Sequence, residues 1–97
     1  MTEDFAAVWD SETTVIYLSG RFDATQVAKA DEALARAEGA TDVDFSELVY
    51  ISSAGIGSLL ATHKRLDKSG GLRLVNMNAH IRELFELAGF DTVFEMG

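Results

Sequence analysis

The first twenty or so residues place apolar and polar side chains in an order that predicts two strands. The segments FAAVW and TTVIYLSG are rich in residues that favour β-structure, and the polar residues Asp10, Ser11 and Glu12 lie between them. A short polar connection between two such segments is typical of a β-hairpin. We therefore expect the domain to open with a hairpin.

A helix is predicted to follow this hairpin. The apolar residues of the segment ATQVAKADEALARAEG are spaced three and four positions apart, at Val27, Ala30, Leu34 and Ala37. This spacing puts them on one face of a helix. Asp23 precedes the segment, where a capping side chain is expected, and Gly39 is expected to end the helix.

The second half of the chain alternates between strand and helix patterns. TDVDF predicts a short strand, and a loop through YISSAGIG is expected to lead into a second helix over IGSLLATHKRLDKSGG. An apolar stripe on one side of that helix consists of Ile56, Leu59, Leu60, His63 and Leu66. LRLVNM predicts another strand, Asn78 is expected to cap a third helix that closes at Gly89, and TVFEM predicts a final strand. The order indicates one α/β domain over residues 1–97, with a mixed sheet of four to five strands and helices packed mainly on one side.

Composition narrows the possible partners and cofactors. With 47% hydrophobic and 25% charged residues the chain resembles an ordinary globular domain, and its net charge of -8 without a basic patch argues against nucleic acid. The absence of cysteine excludes disulfides and cysteine metal sites, and the aspartates lack the spacing of a calcium loop. The acidic start MTEDFAAVWD is unlike a signal peptide, and no apolar run approaches the roughly 20 residues of a membrane span. We expect a cytoplasmic protein with no metal, no cofactor and no membrane partner.

The predicted start of the second helix has an unusual set of small residues. Ser52 or Ser53 is expected to be the N-cap, whose side-chain oxygen accepts a hydrogen bond from an amide of the first turn. The face opposite the apolar stripe consists of Ala54, Gly57, Ser58, Ala61, Thr62 and Arg65. Solvated helix faces are usually rich in Glu, Lys and Arg, and Gly57 alone costs about 1 kcal/mol relative to alanine. Two interpretations remain open, namely a protein partner that approaches closely or the protein's own loops packed against this face.

Catalytic interpretations of the same stretch are weak. Residues 53–55 match the second half of the nucleophile elbow G-x-S-x-G, but Ile51 replaces its first glycine. His63 on the same helix would lie about 15 Å from Ser53, and His80, which spacing does not exclude, has no indicated orienting acid. The sequence GIGS lacks the longer loop and the lysine of a phosphate-binding Walker A motif. We therefore expect no enzyme.

The segment from DFSELVYISSAGIGSLL to the C-terminus resembles the STAS domain of anti-sigma factor antagonists, with the family's Asp-hydrophobic-Ser start at residues 44–46. LSGRFDATQVAKADEAL is similar to the family's first strand-to-helix segment, so the resemblance covers essentially the whole chain. It implies a STAS-type fold and a regulatory role. In members of this type, a small acidic domain binds an anti-sigma factor that is also a serine kinase, which frees the sigma factor. The kinase then phosphorylates the domain and ends the contact, and a phosphatase resets it.

The resemblance places the phosphorylated residue at Ser53, with Ser52 as a second candidate. Many phosphorylated members have Asp before the acceptor and Ser or Thr after it, whereas this chain has Ser52 and Ala54. The residues expected to contact the kinase are Asp23, Ser52, Ser53, Ala54, Gly55, Gly57, Ser58, Ala61, Thr62 and Arg65. The alternative is an adaptor subunit of a lipid-transport ATP-binding cassette system, or another partner-binding module that is not phosphorylated.

Overall fold

A computed structural model describes residues 4–97. The strands are β1 (Ala6–Asp10), β2 (Val15–Phe22), β3 (Thr41–Ile51), β4 (Leu72–Val75) and β5 (Glu95–Met96). The helices are α1 (Val27–Leu34), α2 (Ser53–Arg65) and α3 (Ala79–Leu87), and short 3-10 helices span Ala24–Gln26, Asp67–Ser69 and Phe90–Thr92. The strands form one sheet in the order β1-β2-β3-β4-β5. β1 is antiparallel to β2 and the other neighbours are parallel, so the predicted hairpin and mixed sheet are confirmed.

The helices cover one face of this sheet, as predicted. Ile16 and Leu18 of β2 are buried on the covered face, whereas Tyr17 between them is 42% exposed and its neighbour Val8 on β1 is 57% exposed. The covered face forms a single core to which α3 contributes Phe85. Within residues 4–97, none of the helices combines the length and apolar character that a membrane crossing requires.

The junction between β3 and α2 differs from the predicted loop. β3 continues to Ile51, and only Ser52 separates it from α2. The strand is longer than expected because its end pairs with the end of β2, where Arg21 is opposite Tyr50 and Phe22 is opposite Ile51. Most of the YISSAGIG segment therefore lies in regular structure, and its conformation is fixed by two neighbouring strands.

Two further element ends were predicted wrongly. α1 ends at Leu34 and not at Gly39, because the amides of Arg36 and Ala37 bond three residues back, and the guanidinium of Arg65 holds this turn by donating to the carbonyl oxygens of Leu34 (2.9 Å) and Ala37 (3.1 Å). The last strand has two residues, because Phe90–Thr92 form a helical turn that brings Phe94 against Phe85 with ring centroids 5.9 Å apart. Side-chain contacts between distant segments hold both ends.

Candidate partner-binding site at the start of α2

The first turn of α2 is anchored by Ser52. Its backbone amide donates to the carbonyl oxygen of Phe22 at 2.9 Å, which ties the junction to the end of β2. Its side-chain oxygen accepts a hydrogen bond from the amide of Gly55 at 3.3 Å, which satisfies a donor that the helix itself leaves free. The predicted cap is confirmed, and of the two candidate serines Ser52 is the one that forms it.

Ser53 is the first residue of α2, and its side chain is exposed. Among residues 4–97 no other group forms a hydrogen bond with its hydroxyl, which therefore faces solvent at the positive end of the helix dipole. Two adjacent serines thus have different roles, since one is a half-buried cap and the other an accessible hydroxyl.

The two glycines of this turn also differ. A Cβ at Gly55 would lie 2.9 Å from Cγ1 of Ile51 and 3.0 Å from Cγ of Phe22, so this residue must be small for α2 to pack on the sheet. A Cβ at Gly57 would have no heavy atom within 4 Å. Packing within the domain explains Gly55 and leaves Gly57 unexplained.

The small-residue face of α2 lines a cleft of about 540 Å³. On α2 the cleft is bounded by Ala54, Gly57, Ser58, Ala61, Thr62 and Arg65. The opposite wall is α1, through Val27, Asp31 and Leu34, together with Ala35 at its C-terminal end. Ser58 and Thr62 are 9% and 7% exposed and form the floor, where the Thr62 hydroxyl donates to the Ser58 carbonyl oxygen at 3.0 Å. Gly57 and Ala61 lie at the rim of the cleft and are exposed, so an approaching molecule can contact them.

Arg65 closes the far end of this cleft. Its two hydrogen bonds to the carbonyl oxygens at the end of α1 hold the two helices together. The Leu34 oxygen also accepts from the Ala37 amide at 3.1 Å, so the guanidinium adds a charged donor to the turn that follows α1 and contributes to the fold. The structure thus gives Arg65 a role within the domain, in addition to the predicted partner contact.

The end of β2 supplies further polar groups beside the junction. The Asp23 carboxylate accepts hydrogen bonds from the Thr25 amide (3.0 Å) and hydroxyl (2.5 Å), so it caps the 3-10 turn that precedes α1. The guanidinium of Arg21 lies 4.3 Å from the centroid of the Tyr50 ring, on the open face of the sheet. This contact was not predicted, although the alternation of side chains along β2 places Arg21 on the open face.

The Asp-Phe-Ser start of the family segment has a structural role. The Asp44 carboxylate accepts hydrogen bonds from the Ser46 amide (2.8 Å), the Ser46 hydroxyl (2.6 Å) and the Asn76 side chain (2.7 Å). Partial burial raises the pKa of Asp44, but these hydrogen bonds outweigh it and hold the pKa below its ordinary value. Asp44 thus connects β3 to the residues after β4.

His63, like Asp44, forms contacts within the domain. Its Nδ1 accepts a hydrogen bond from the Leu72 amide at 3.0 Å, and its ring packs against that of Phe94 with centroids 5.0 Å apart. His63 was predicted at the border of the apolar stripe, and this contact with β4 gives its role there. Within the part of the chain that the structure describes, no group of three His, Asp or Glu residues is arranged to hold a metal ion.

Comparisons with known proteins give a family model and a relative that is similar over part of its length. A family model described as "Mlab, STAS domain" matches residues 5–96. BtrV of Bordetella bronchiseptica, which carries the name of an anti-sigma factor antagonist, is 42% identical over 53 residues, covering 54% of this chain but only 46% of that protein.

Two solved structures have a similar fold. The crystal structure of an anti-sigma factor antagonist from Mycobacterium paratuberculosis has a TM-score of 0.81 at 22% identity, over 98% of this chain and 85% of that chain. The Bacillus cell fate determinant SpoIIAA in its phosphorylated form has a TM-score of 0.67 at 18% identity, over 97% of this chain and 91% of that one. At these identities the likeness shows the fold alone.

Proposed function

The chain belongs to the STAS-domain family, and from this membership we propose that it is an anti-sigma factor antagonist that a serine kinase switches off at Ser53. In its unmodified form it binds an anti-sigma factor that is also the kinase, and so frees a sigma factor. Phosphorylation of Ser53 ends the contact, and a phosphatase restores it. We place this cycle in the cytoplasm and assign the domain no catalytic role.

The observation that carries this proposal is the separation of the two serines. The hydroxyl of Ser53 is exposed and free, so a kinase can reach it without opening the fold. The Ser52 oxygen is half-buried and accepts from the Gly55 amide, so a phosphate there would disturb the cap. Exposure therefore favours Ser53 as the acceptor even though the acid that often precedes it in the family is replaced by Ser52.

A phosphate at Ser53 is compatible with the fold. It would add about -1.5 to -2 charge at a helix N-terminus, where an anion is stabilised by about 0.3–1 kcal/mol, because the amides and the dipole point toward it. SpoIIAA, whose fold is similar, has been determined in a phosphorylated form. We therefore expect modification to leave the domain folded.

The same phosphate would oppose a partner that docks on the first turn of α2. Ser53 adjoins Ala54 and Gly57, which line the open side of the cleft between α1 and α2. A partner shaped to this surface would have to cover a hydrated, doubly charged group. Burying a charge without a counter-charge costs several kcal/mol, which corresponds to a loss of two or more decades in affinity. Phosphorylation would thus lower the affinity for the partner and leave the domain folded.

Phosphorylation mapping tests the modification directly. The purified chain is incubated with the candidate kinase and ATP, and residues 50–65 are analysed by mass spectrometry. We expect one phosphate, on Ser53, that is lost in Ser53→Ala and retained in Ser52→Ala. A phosphate on Ser52, or none in this segment, would overturn the assignment.

The alternative role as an adaptor of a lipid-transport ATP-binding cassette system makes a different prediction. Affinity capture with the wild-type chain should then recover a transporter ATPase. The proposed function instead predicts a soluble kinase whose recovery is lost in Ser53→Asp and kept in Ser53→Ala.

A further inference from the structure

A second cleft of about 310 Å³ lies between β1 and α1. It is lined by Ala7, Val8 and Trp9 of β1, by Lys29, Glu32 and Ala33 of α1, and by Arg36, which lies two residues beyond the end of that helix. These α1 residues lie on the side of the helix away from the cleft beside α2, whose α1 wall includes Val27, Asp31 and Leu34. The two clefts therefore offer separate surfaces.

One wall of this second cleft is the free edge of the sheet. β1 is the first strand in the sheet order, so no other strand among residues 4–97 pairs with its outer side. The Asp42 amide donates to the Thr14 carbonyl oxygen at 3.1 Å, in a register that pairs Val15 with Asp42. Backbone groups alternate in direction along a strand, so those of Val15 and Tyr17 point the other way, toward β1.

The same alternation identifies the free groups of β1. Tyr17 pairs with Val8, so the backbone N–H and C=O of Val8 belong to the β1–β2 ladder. Those of Ala7 and Trp9 must then point outward into the cleft. Among residues 4–97, no hydrogen bond outside the ladders involves the backbone of Ala7 or Trp9. Two donors and two acceptors are thus available to another strand.

Lys29 gives independent support for this direction. Its Nζ donates to the carbonyl oxygen of Phe5 at 3.2 Å. Phe5 lies two residues before Ala7, so its carbonyl shares the outward direction that alternation assigns to Ala7 and Trp9. A side chain of α1 therefore already satisfies the first acceptor of the edge.

This edge lacks the features that usually protect an exposed strand. β1 contains no proline or lysine, its one charged residue, Asp10, is the last of the strand, and its register with β2 is continuous over all five residues. The strand at the opposite edge, β5, is protected because it is short and charged: it has only two residues, and one of them is Glu95. Edge strands without such features are templates for pairing with another chain.

The charge of the cleft is opposite to that of the whole chain. The net charge is -8, yet the charged side chains of the cleft are the cations Lys29 and Arg36 against the single acid Glu32. Arg36 is exposed and forms no ion pair with the rest of the described chain. At physiological ionic strength, charges more than about 8 Å away are largely screened. The nearby cation Arg36 therefore favours an acidic side chain on a molecule bound in the cleft, despite the negative net charge of the chain.

We propose that the β1 edge binds a short, extended, acidic segment of a partner protein as an added strand. The backbone of that segment pairs with Ala7 and Trp9, an acidic side chain faces Arg36, and an apolar side chain packs on the half-exposed indole of Trp9. This site is independent of Ser53 and of the proposed switch.

A library of random eight-residue peptides displayed on phage supplies the probe. We expect selected sequences that alternate apolar and acidic residues, and the single tryptophan of the chain, Trp9, reports their binding by fluorescence. Arg36→Glu should weaken binding at least about tenfold through loss of one charge-assisted contact, whereas Lys68→Glu, with the same charge change on the exposed 3-10 turn, should not. The affinity should be unchanged in Ser53→Asp, which separates this result from the proposed function.

Hydrogen exchange tests the pairing itself. The amides of Ala7 and Trp9 should exchange faster than that of Val8 in the free protein and become protected when a selected peptide binds. Ala7→Pro should remove one of these donors and abolish binding while leaving the β1–β2 ladder intact. The proposal is overturned if the library yields no enriched sequence, if Arg36→Glu and wild type bind equally, if protection appears elsewhere, or if sedimentation shows a dimer that Ala7→Pro dissociates.

Discussion

The side-chain oxygen of Ser52 accepts a hydrogen bond from the amide of Gly55, three residues along the chain, at 3.3 Å. This contact leaves the next hydroxyl, that of Ser53, exposed and unpaired within the described chain. Because one serine forms the cap, the hydroxyl of the other takes no part in it. The roles of the two residues can therefore be separated by experiment.

Stability measurements should distinguish the two serines. Ser52→Ala removes the cap and should lower the free energy of unfolding by about 1 kcal/mol, as is typical of lost N-caps. Ser53→Ala removes an exposed hydroxyl and should change it by less than about 0.5 kcal/mol. Urea denaturation followed by circular dichroism measures both. Equal losses in the two variants would show that the cap is shared.

The two glycines of α2 provide a matched pair. Gly55→Ala should destabilise the domain by about 1–3 kcal/mol, because the new Cβ meets Ile51 and Phe22 at 3.0 Å or less. Gly57→Ala should stabilise it by up to about 1 kcal/mol, because it improves helix propensity in open space.

The Gly57 variant also tests the docking face. If the partner approaches the backbone of α2 closely, Gly57→Ala should weaken kinase binding although the domain is more stable. Unchanged binding by Gly57→Ala would place the partner elsewhere. Titration calorimetry with the kinase gives the affinity, and thermal denaturation gives the stability.

Arg65 should hold the end of α1 in place. Arg65→Ala leaves the carbonyl oxygens of Leu34 and Ala37 without their charged donor, and we expect a loss of about 1–2 kcal/mol. Lys64→Ala removes the same charge from an exposed neighbour and should have little effect. Hydrogen exchange in α1 should rise in the first variant alone, and similar exchange in both would argue against the contact.

Asp44 should make the stability of the domain depend on pH in acid. Its pKa is lower in the folded protein than its ordinary value of 3.8, so its contribution is present above the unfolded pKa and is lost as the pH falls through the folded pKa. The free energy of unfolding should therefore fall below about pH 4, and less steeply in Asp44→Asn. Asp91→Asn, at an exposed position without these hydrogen bonds, is the control. Identical pH slopes for Asp44→Asn and wild type would rule this role out.

Local features of the fold could be predicted from the sequence. Asn78 caps α3 by accepting from the Ile81 amide at 2.8 Å, as the position of an Asn before an apolar run suggests. The pattern of β-formers around Asp10 gave the hairpin for the same reason, because both depend on neighbours in the chain.

Features that depend on distant residues were missed. The turn that ends α1 early is held by Arg65, which lies 28 residues beyond Ala37, and no periodicity in α1 indicates this contact. The difference between Gly55 and Gly57 depends on the position of Phe22, so in the sequence the two glycines are equivalent. In the same way, the identity of the capping serine depends on where β3 ends, because only one residue separates this strand from α2. The partner contacts of the cleft and the modification of Ser53 stay predictions.

The most direct test of the proposed switch compares the affinity of the anti-sigma factor kinase for the unmodified chain and for the chain phosphorylated at Ser53. Calorimetry should show Ser53→Ala binding within about threefold of wild type, and the phosphorylated form binding at least about a hundredfold more weakly. Circular dichroism should show the same fold in all three. A phosphorylated chain that remains folded and binds the kinase as tightly as the unmodified chain would contradict the account.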